Sequence, residues 1–212
     1  MCERHKITSL QVQAKRKDRF SVFLDGEFAF GIHQDVLIKS GIAKGDELSS
    51  EQIEEILRLE ERRAAKEKAM RLLAVRPRST KEIVDRLRQA KFSQAVIDWV
   101  IPELERVGLL NDFEFAKMFA RSRMITRPVG EFLLRRELKQ KGLSEEQIEA
   151  GVEEAYAETS EVQVAGTLAA KRKKRYLELE EMKAKKRLSD FLIRRGFNWE
   201  IVKDIIGNWE NF

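Results

Sequence analysis

The spacing of apolar positions changes once along this chain. Near the start it is two: Leu10, Val12 and Ala14 alternate with Gln11, Gln13 and Lys15, the pattern of a half-buried strand. The run RFSVFLDGEFAFGI then sets two aromatic-rich stretches on either side of Asp25-Gly26, a pair that tolerates the positive φ of a two-residue hairpin turn. These signals predict a small three-stranded antiparallel β-meander from about Ser9 to Gly31, with helix needed against one face for stability. A short helix is expected at QDVLIKS, ending at Gly41.

From Ser49 onward the spacing is helical. Ser49 with Gln52 makes a capping box, and Ile53, Ile56 and Leu57 follow at helical intervals. Nothing breaks that helix before Pro77, which resists α geometry in its predecessor and offers no N–H. Ser79 with Glu82 makes a second capping box, and Ile83, Leu87 and Ala90 share the next apolar face. A further stripe takes Ile97, Val100, Ile101, Leu104 and Val107. Pro102 falls inside it and is expected to kink or split the helix, at about 3 kcal/mol if unrelieved.

The pattern then recurs. Leu87, Leu138 and Leu192 are each followed after five residues by Phe92, Leu143 and Phe197, and after five more by Ile97, Ile148 and Val202. The intervals of 51 and 54 residues mark a repeat array. Gly142 and Gly196 stand where a left-handed residue closes a helix; Lys91 holds that place in the first repeat, so a different helix end is expected there. Each repeat would combine a leading helix (Arg62–Val75, Asp112–Ile125, Glu161–Tyr176), a basic helix and a closing helix. Neighbours must stack to bury enough apolar surface. The expected fold is therefore mainly α: three tandem three-helix, helix-turn-helix-like repeats in an elongated, curved array behind the meander. The expected divisions are 1–48 for meander and short helix, 49–110 for a long connecting helix with the first repeat, 111–158 for the second and 159–212 for the third.

Charge refines this picture. The 212 residues carry a net +5, but residues 1–62 hold ten Lys/Arg against twelve Asp/Glu, and the rest 31 against 24. The basic excess thus belongs to the repeats, which suits a polyanion or an acidic protein surface as partner. Between Arg121 and Lys141 lie Arg121, Arg123, Arg127, Arg135, Arg136, Lys139 and Lys141 against only Glu131 and Glu137. Leu134 and Leu138 should face inward there, leaving the basic groups outward, in the manner that grips phosphates without reading sequence. KRKKR, from Lys171 to Arg175, forms a second cluster with Lys171, Arg172 and Lys174 as its contact candidates; KAKKR with Arg194 and Arg195 forms a third, close to Glu178, Glu180 and Glu181. Arg76 and Arg78 are secondary contact candidates. Solvated helix surface is the plain alternative for all of these. Phe113, Phe115, Phe119, Trp99, Trp199 and Trp209 are expected to pack in cores.

Catalytic chemistry finds little support. His5 and His33 have no spaced ligand set around them, and no phosphate loop, nucleophile elbow or HExxH occurs. Glu145-Glu146 and Glu153-Glu154 read as solvated helix faces. Cys2 stands alone, which excludes an intrachain disulfide and a cysteine metal site. No run approaches the ~18–20 apolar residues of a membrane span. A cytoplasmic binding protein is expected, with no enzyme activity, cofactor, metal, membrane or small-molecule substrate.

GLLNDFEFAKMFARSR followed by PVGEFLLRRELKQKGL resembles the RecX family of recombination regulators. LLAVRPRSTKEIVDRLRQAKF and LSDFLIRRGF fit the same family, so the resemblance runs from about residue 63 to the end. The meander is similar to the extension of longer members; Lys91, where glycine is usual, is a departure. The resemblance implies tandem three-helix units and a modulator, mostly an inhibitor, of the RecA recombinase and its filament on single-stranded DNA, acting in recombination and repair; a monomer with a place in the SOS response is expected. DNA is a further direct partner on this reading, and no catalytic residues carry over. The alternative is a sequence-specific helix-turn-helix transcription factor, with the basic helix reading duplex DNA.

Overall fold

The computed structural model describes residues 4–176 and 178–211; Cys2 lies outside them. The chain forms two compact units, one of residues up to Arg76 with Ile83–Leu109, the other of Pro77–Glu82 with Leu110 onward. Among the described residues no helix is long and apolar enough to cross a membrane.

In the first unit, β1 (Arg4–Gln13), β2 (Arg16–Leu24) and β3 (Glu27–His33) form the meander, with Asp25 at φ 51° and Gly26 at φ 93° in its tight turn. The sheet has a fourth strand, which corrects the three-stranded expectation. β4 (Glu47–Ser49) pairs antiparallel with Arg4, His5 and Lys6, giving the order β3-β2-β1-β4. Three residues are too few to show a period of two. Helix α1 (Gln34–Ser40) closes on Gly41 in the left-handed region, as its sequence implies. Helix α2 (Ser50–Val75) runs unbroken from the Ser49/Gln52 capping box. One end of α2 packs Ile56 into a core with Ile7, Val22, Phe30, Ile32, Val36 and Leu48. Nearby, the largely buried Glu60 accepts hydrogen bonds from Arg19 (2.7 Å) and the His33 backbone N–H (2.8 Å). Helix α4 (Gln94–Arg106) continues through Pro102, so the expected split does not occur. The ring removes only the donor for the carbonyl of Asp98, an exposed residue where water can replace it.

Helix α3 (Thr80–Gln89) ends at Lys91, which adopts φ +65°. The Lys91 N–H bonds the Arg88 carbonyl and the Phe92 N–H bonds that of Leu87, a Schellman ending. Gly196 repeats both bonds in the third repeat, with Ile193 and Leu192. Lys91 therefore closes its helix as the glycines do, contrary to expectation. The left-handed geometry costs a side chain roughly 1–2 kcal/mol, so another constraint fixes glycine at the other two places. A Cβ on Gly142 would meet the Lys81 side chain at 2.6 Å, and one on Gly196 would meet Leu133 at 2.3 Å, whereas Lys91 is exposed.

The second unit holds α5 (Asp112–Thr126), α6 (Glu131–Gln140), α7 (Glu145–Ala155), α8 (Glu161–Lys173), α9 (Glu181–Arg194) and α10 (Trp199–Gly207). Its two cores follow the repeat. Leu134, Leu138, Leu143 and Ile148 join Phe115, Ala116 and Ala120 in one. Leu188, Leu192, Phe197 and Val202 join Ala165 and Ala169 in the other. One docking scheme is used twice. Ser79 Oγ donates to the Lys141 carbonyl at 2.7 Å, and the Gly130 N–H donates to the Arg195 carbonyl at 2.9 Å. The start of one basic helix thus seats on the last turn of the next. At the second seam, two backbones meet directly: a Cβ on Gly130 would lie 2.3 Å from the Gly196 carbonyl oxygen.

Candidate partner-binding surface

The basic stretch of α5 and α6 does not form the open cationic strip expected from its local charge. Arg135 reaches Glu131 (2.6 Å), Glu149 (2.6 Å) and Glu145 (3.4 Å). Arg123 lays its fork on Glu137 at 2.7 and 2.9 Å. Arg121 binds Glu154 and Lys141 binds Glu82 at 2.8 Å. Hydrogen bonds to these carboxylates hold the guanidinium pKa values of Arg135, Arg123 and Arg121 above their ordinary level. Four of the seven cations are thus neutralised within the fold, mostly by carboxylates 10 to 59 residues away in sequence. Glu145 and Glu154, expected as solvated, are partners in this pairing. Arg127, Arg136 and Lys139 stay exposed with no ion pair among the described residues.

The later clusters divide differently. Lys183 and Lys185 pair with Glu180 and Glu181. Arg172 donates Nε to the Tyr176 hydroxyl (3.1 Å), with its guanidinium over Phe191. Arg195 donates Nη1 to the Pro128 carbonyl (2.8 Å) and also lies over Phe191. Lys171, Lys174 and Arg194 are exposed without carboxylate partners among the described residues. Arg76 is exposed at the end of α2 and Arg78 half-buried, each with contacts of its own.

A groove between α6, α9 and α10 was not read from the sequence. It encloses about 510 Å³ and is lined by Phe132, Ile193 and Trp199, with Glu161 and Arg135 also on its wall. Phe132 is 72% and Trp199 60% exposed. Trp199 thus departs from its expected core position, as does Phe113, while Phe115 is buried and Phe119 packs against the same core. Trp99 lies beneath the Arg62 guanidinium, and Lys173 lies over Trp209. Phe132 carried a signal: it sits two residues from buried Leu134, hence on the far side of α6. Glu161 accepts the Glu131 N–H at 2.9 Å, and burial raises its pKa. On the other side of Phe132, a 410 Å³ hollow is bordered by Arg135, Arg136 and Lys139, of which Arg136 and Lys139 have no ion pair among the described residues.

A small antiparallel sheet ahead of three successive helix triplets, docked end to end through their basic helices in the second unit, defines a modular helical-repeat protein. Four family models match in order: the regulatory protein RecX N-terminal domain at residues 5–49, then the RecX first, second and third three-helix domains at 65–104, 111–152 and 159–206. The chain belongs to the RecX family of regulatory proteins. It is 34% identical over 198 residues to the regulatory protein RecX of Listeria monocytogenes, covering 93% of this chain and 73% of that one. It is 33% identical over 201 residues to that of Bacillus cytotoxicus, covering 93% and 74%. A crystal structure of regulatory protein RecX superposes with a TM-score of 0.74 at 27% identity, covering 94% of this chain and 99% of the other. RecX from Lactobacillus salivarius shares the fold, with a TM-score of 0.64 at 24% identity over 72% and 98%.

Proposed function

We propose that this chain binds the RecA recombinase and its filament on single-stranded DNA and inhibits filament assembly and turnover. It does so in recombination and repair during the SOS response, as a cytoplasmic monomer that binds rather than catalyses. Membership of the RecX family supports the regulatory role, and the resemblance of the repeats supports RecA as the target. The observation that carries a protein partner is the groove with exposed Phe132 and Trp199. Aromatic side chains left open beside a concavity are the usual anchors of protein interfaces, each worth 2 kcal/mol or more when buried centrally. Arg136 and Lys139 beside Phe132 add attraction for an acidic surface. The transcription-factor reading has less support, because α6, the helix that would enter a major groove, has Arg135 tied to three carboxylates.

Co-sedimentation with RecA filaments on single-stranded DNA tests this. The wild-type chain should pellet with the filaments. Phe132→Ala with Trp199→Ala should weaken retention by about 30-fold or more, the equivalent of ~2 kcal/mol. Wild-type chain left in the supernatant would overturn the proposal; undiminished retention of the folded double variant would remove the groove from it.

A further inference from the structure

The unpaired charge of the second unit gathers beside the seam of α6 and α9. Arg195 is fixed by the Pro128 carbonyl and the Phe191 ring, 5.2 Å from its guanidinium carbon. Arg172 lies over the same ring at 4.8 Å. Arg123 donates to the Arg127 carbonyl, one residue before the one that holds Arg195. Arg127 itself is exposed, and its side chain makes no hydrogen bond or ion pair among the described residues. These four guanidinium groups are close enough for three of them to act on Arg195, and Arg123 is already engaged by Glu137. Desolvation and then Arg127, Arg123 and Arg172 push the Arg195 pKa down; every charged neighbour acting on it has the same sign. A ring and neutral oxygens hold Arg172 and Arg195 in place without cancelling their charge. Such an arrangement is unfavourable until an anion arrives.

Donors remain for that anion. Arg195 keeps Nε and Nη2, Arg172 keeps both terminal nitrogens, and Arg127 keeps its whole fork. None of these nitrogens is both fully buried and without a partner, and Arg127 is exposed. Guanidinium forks from three neighbouring residues suit a tetrahedral anion, whose oxygens point in several directions, better than a planar carboxylate, which fills one fork. Exposed Lys171 and Lys174 continue the positive surface along the end of α8, as a polymer with regularly spaced charges requires.

We infer that Arg127, Arg172 and Arg195 form a binding site for the phosphodiester backbone of single-stranded DNA. This deepens the proposed function, resting on it for the biological setting, and gives the chain a contact with the DNA that is separate from its aromatic groove.

The test is fluorescence anisotropy of a labelled thymidine oligomer with the full chain, without RecA, across a salt series. Arg127→Gln, Arg172→Gln and Arg195→Gln together should weaken binding tenfold or more and lower the log–log salt slope by about 2, since each single-strand phosphate contact contributes ~0.7. Arg172 and Arg195 pack on a ring, so exposed Arg127→Glu serves as a second variant that leaves packing intact; it should weaken binding at least threefold. A methylphosphonate-linked oligomer, lacking backbone charge, should not bind. Wild-type affinity in both variants would overturn the site, as would displacement of the oligomer by polyglutamate at equal charge concentration, which would assign the patch to acidic protein. Either result beside intact inhibition of RecA turnover would remove this site and leave the RecA reading standing. Loss of oligomer binding in the variants, with a wild-type chain that leaves RecA turnover unchanged, would keep the site and remove that reading.

Discussion

Replacing Gly130 by alanine isolates the contact that joins the second and third repeats. Gly130 has φ −74° and ψ 164°, a conformation open to any residue, so the substitution adds no backbone strain. It adds one methyl group, and that group would sit 2.3 Å from the Gly196 carbonyl oxygen and 2.4 Å from the Phe197 nitrogen. Both obstacles are backbone atoms, which cannot rotate away. Opening the seam to ordinary contact distance should cost ~1–3 kcal/mol in displaced packing. It should also weaken the 2.9 Å bond from the Gly130 N–H to the Arg195 carbonyl, worth ~1 kcal/mol. The expected loss is therefore ~2–4 kcal/mol. Gly196→Ala meets Leu133 at 2.3 Å and must also hold φ +82°, adding ~1–2 kcal/mol. Urea unfolding followed by far-ultraviolet circular dichroism reads both losses. A Gly130→Ala midpoint within ~0.5 kcal/mol of wild type would refute backbone-to-backbone docking at this seam.

Lys91→Gly should stabilise the protein by up to ~1 kcal/mol in the same assay, because Lys91 holds a left-handed conformation at an exposed position. Arg135→Ala should cost ~1 kcal/mol, leaving three carboxylates facing one another, whereas Arg136→Ala and Lys139→Ala should fall within ~0.5 kcal/mol of wild type. Glu161 carries a raised pKa through burial, so the folded state binds its proton more readily than the unfolded chain. Its contribution to stability should accordingly fall as pH rises from the ordinary value of 4.5 through the raised one, and Glu161→Gln should abolish that fall in thermal melts taken across the range.

The repeat was legible because it is written locally. Leu87, Leu138 and Leu192 are fully buried, and Ile97, Ile148 and Val202 nearly so, where spacing alone placed them. The capping boxes at Ser49 and Ser144 formed as their sequences imply. At Ser79 the side chain does accept the Glu82 N–H, but its hydroxyl also crosses to Lys141, a bond visible only in three dimensions. The same limit governs the surface. Counting charges between Arg121 and Lys141 misses Glu82, Glu145, Glu149 and Glu154, so the strip looked more basic than it is. The groove joins Phe132 to Trp199 across the α6–α9 seam, and Arg172 and Arg195 share the Phe191 ring with Arg127 as a charged neighbour. Neither constellation lies within one helical stripe, so periodicity could not find it. Charge reversal at Arg136 and Lys139 probes the surface more cleanly than a set including Arg135, whose loss disturbs the fold itself.

ATP hydrolysis by RecA on single-stranded DNA, titrated with this chain, tests the regulatory role most directly. Turnover should fall with added protein and saturate, and the Phe132→Ala, Trp199→Ala variant should require a much higher concentration for the same effect. Turnover that stays constant through a molar excess of the folded wild-type chain would contradict the account.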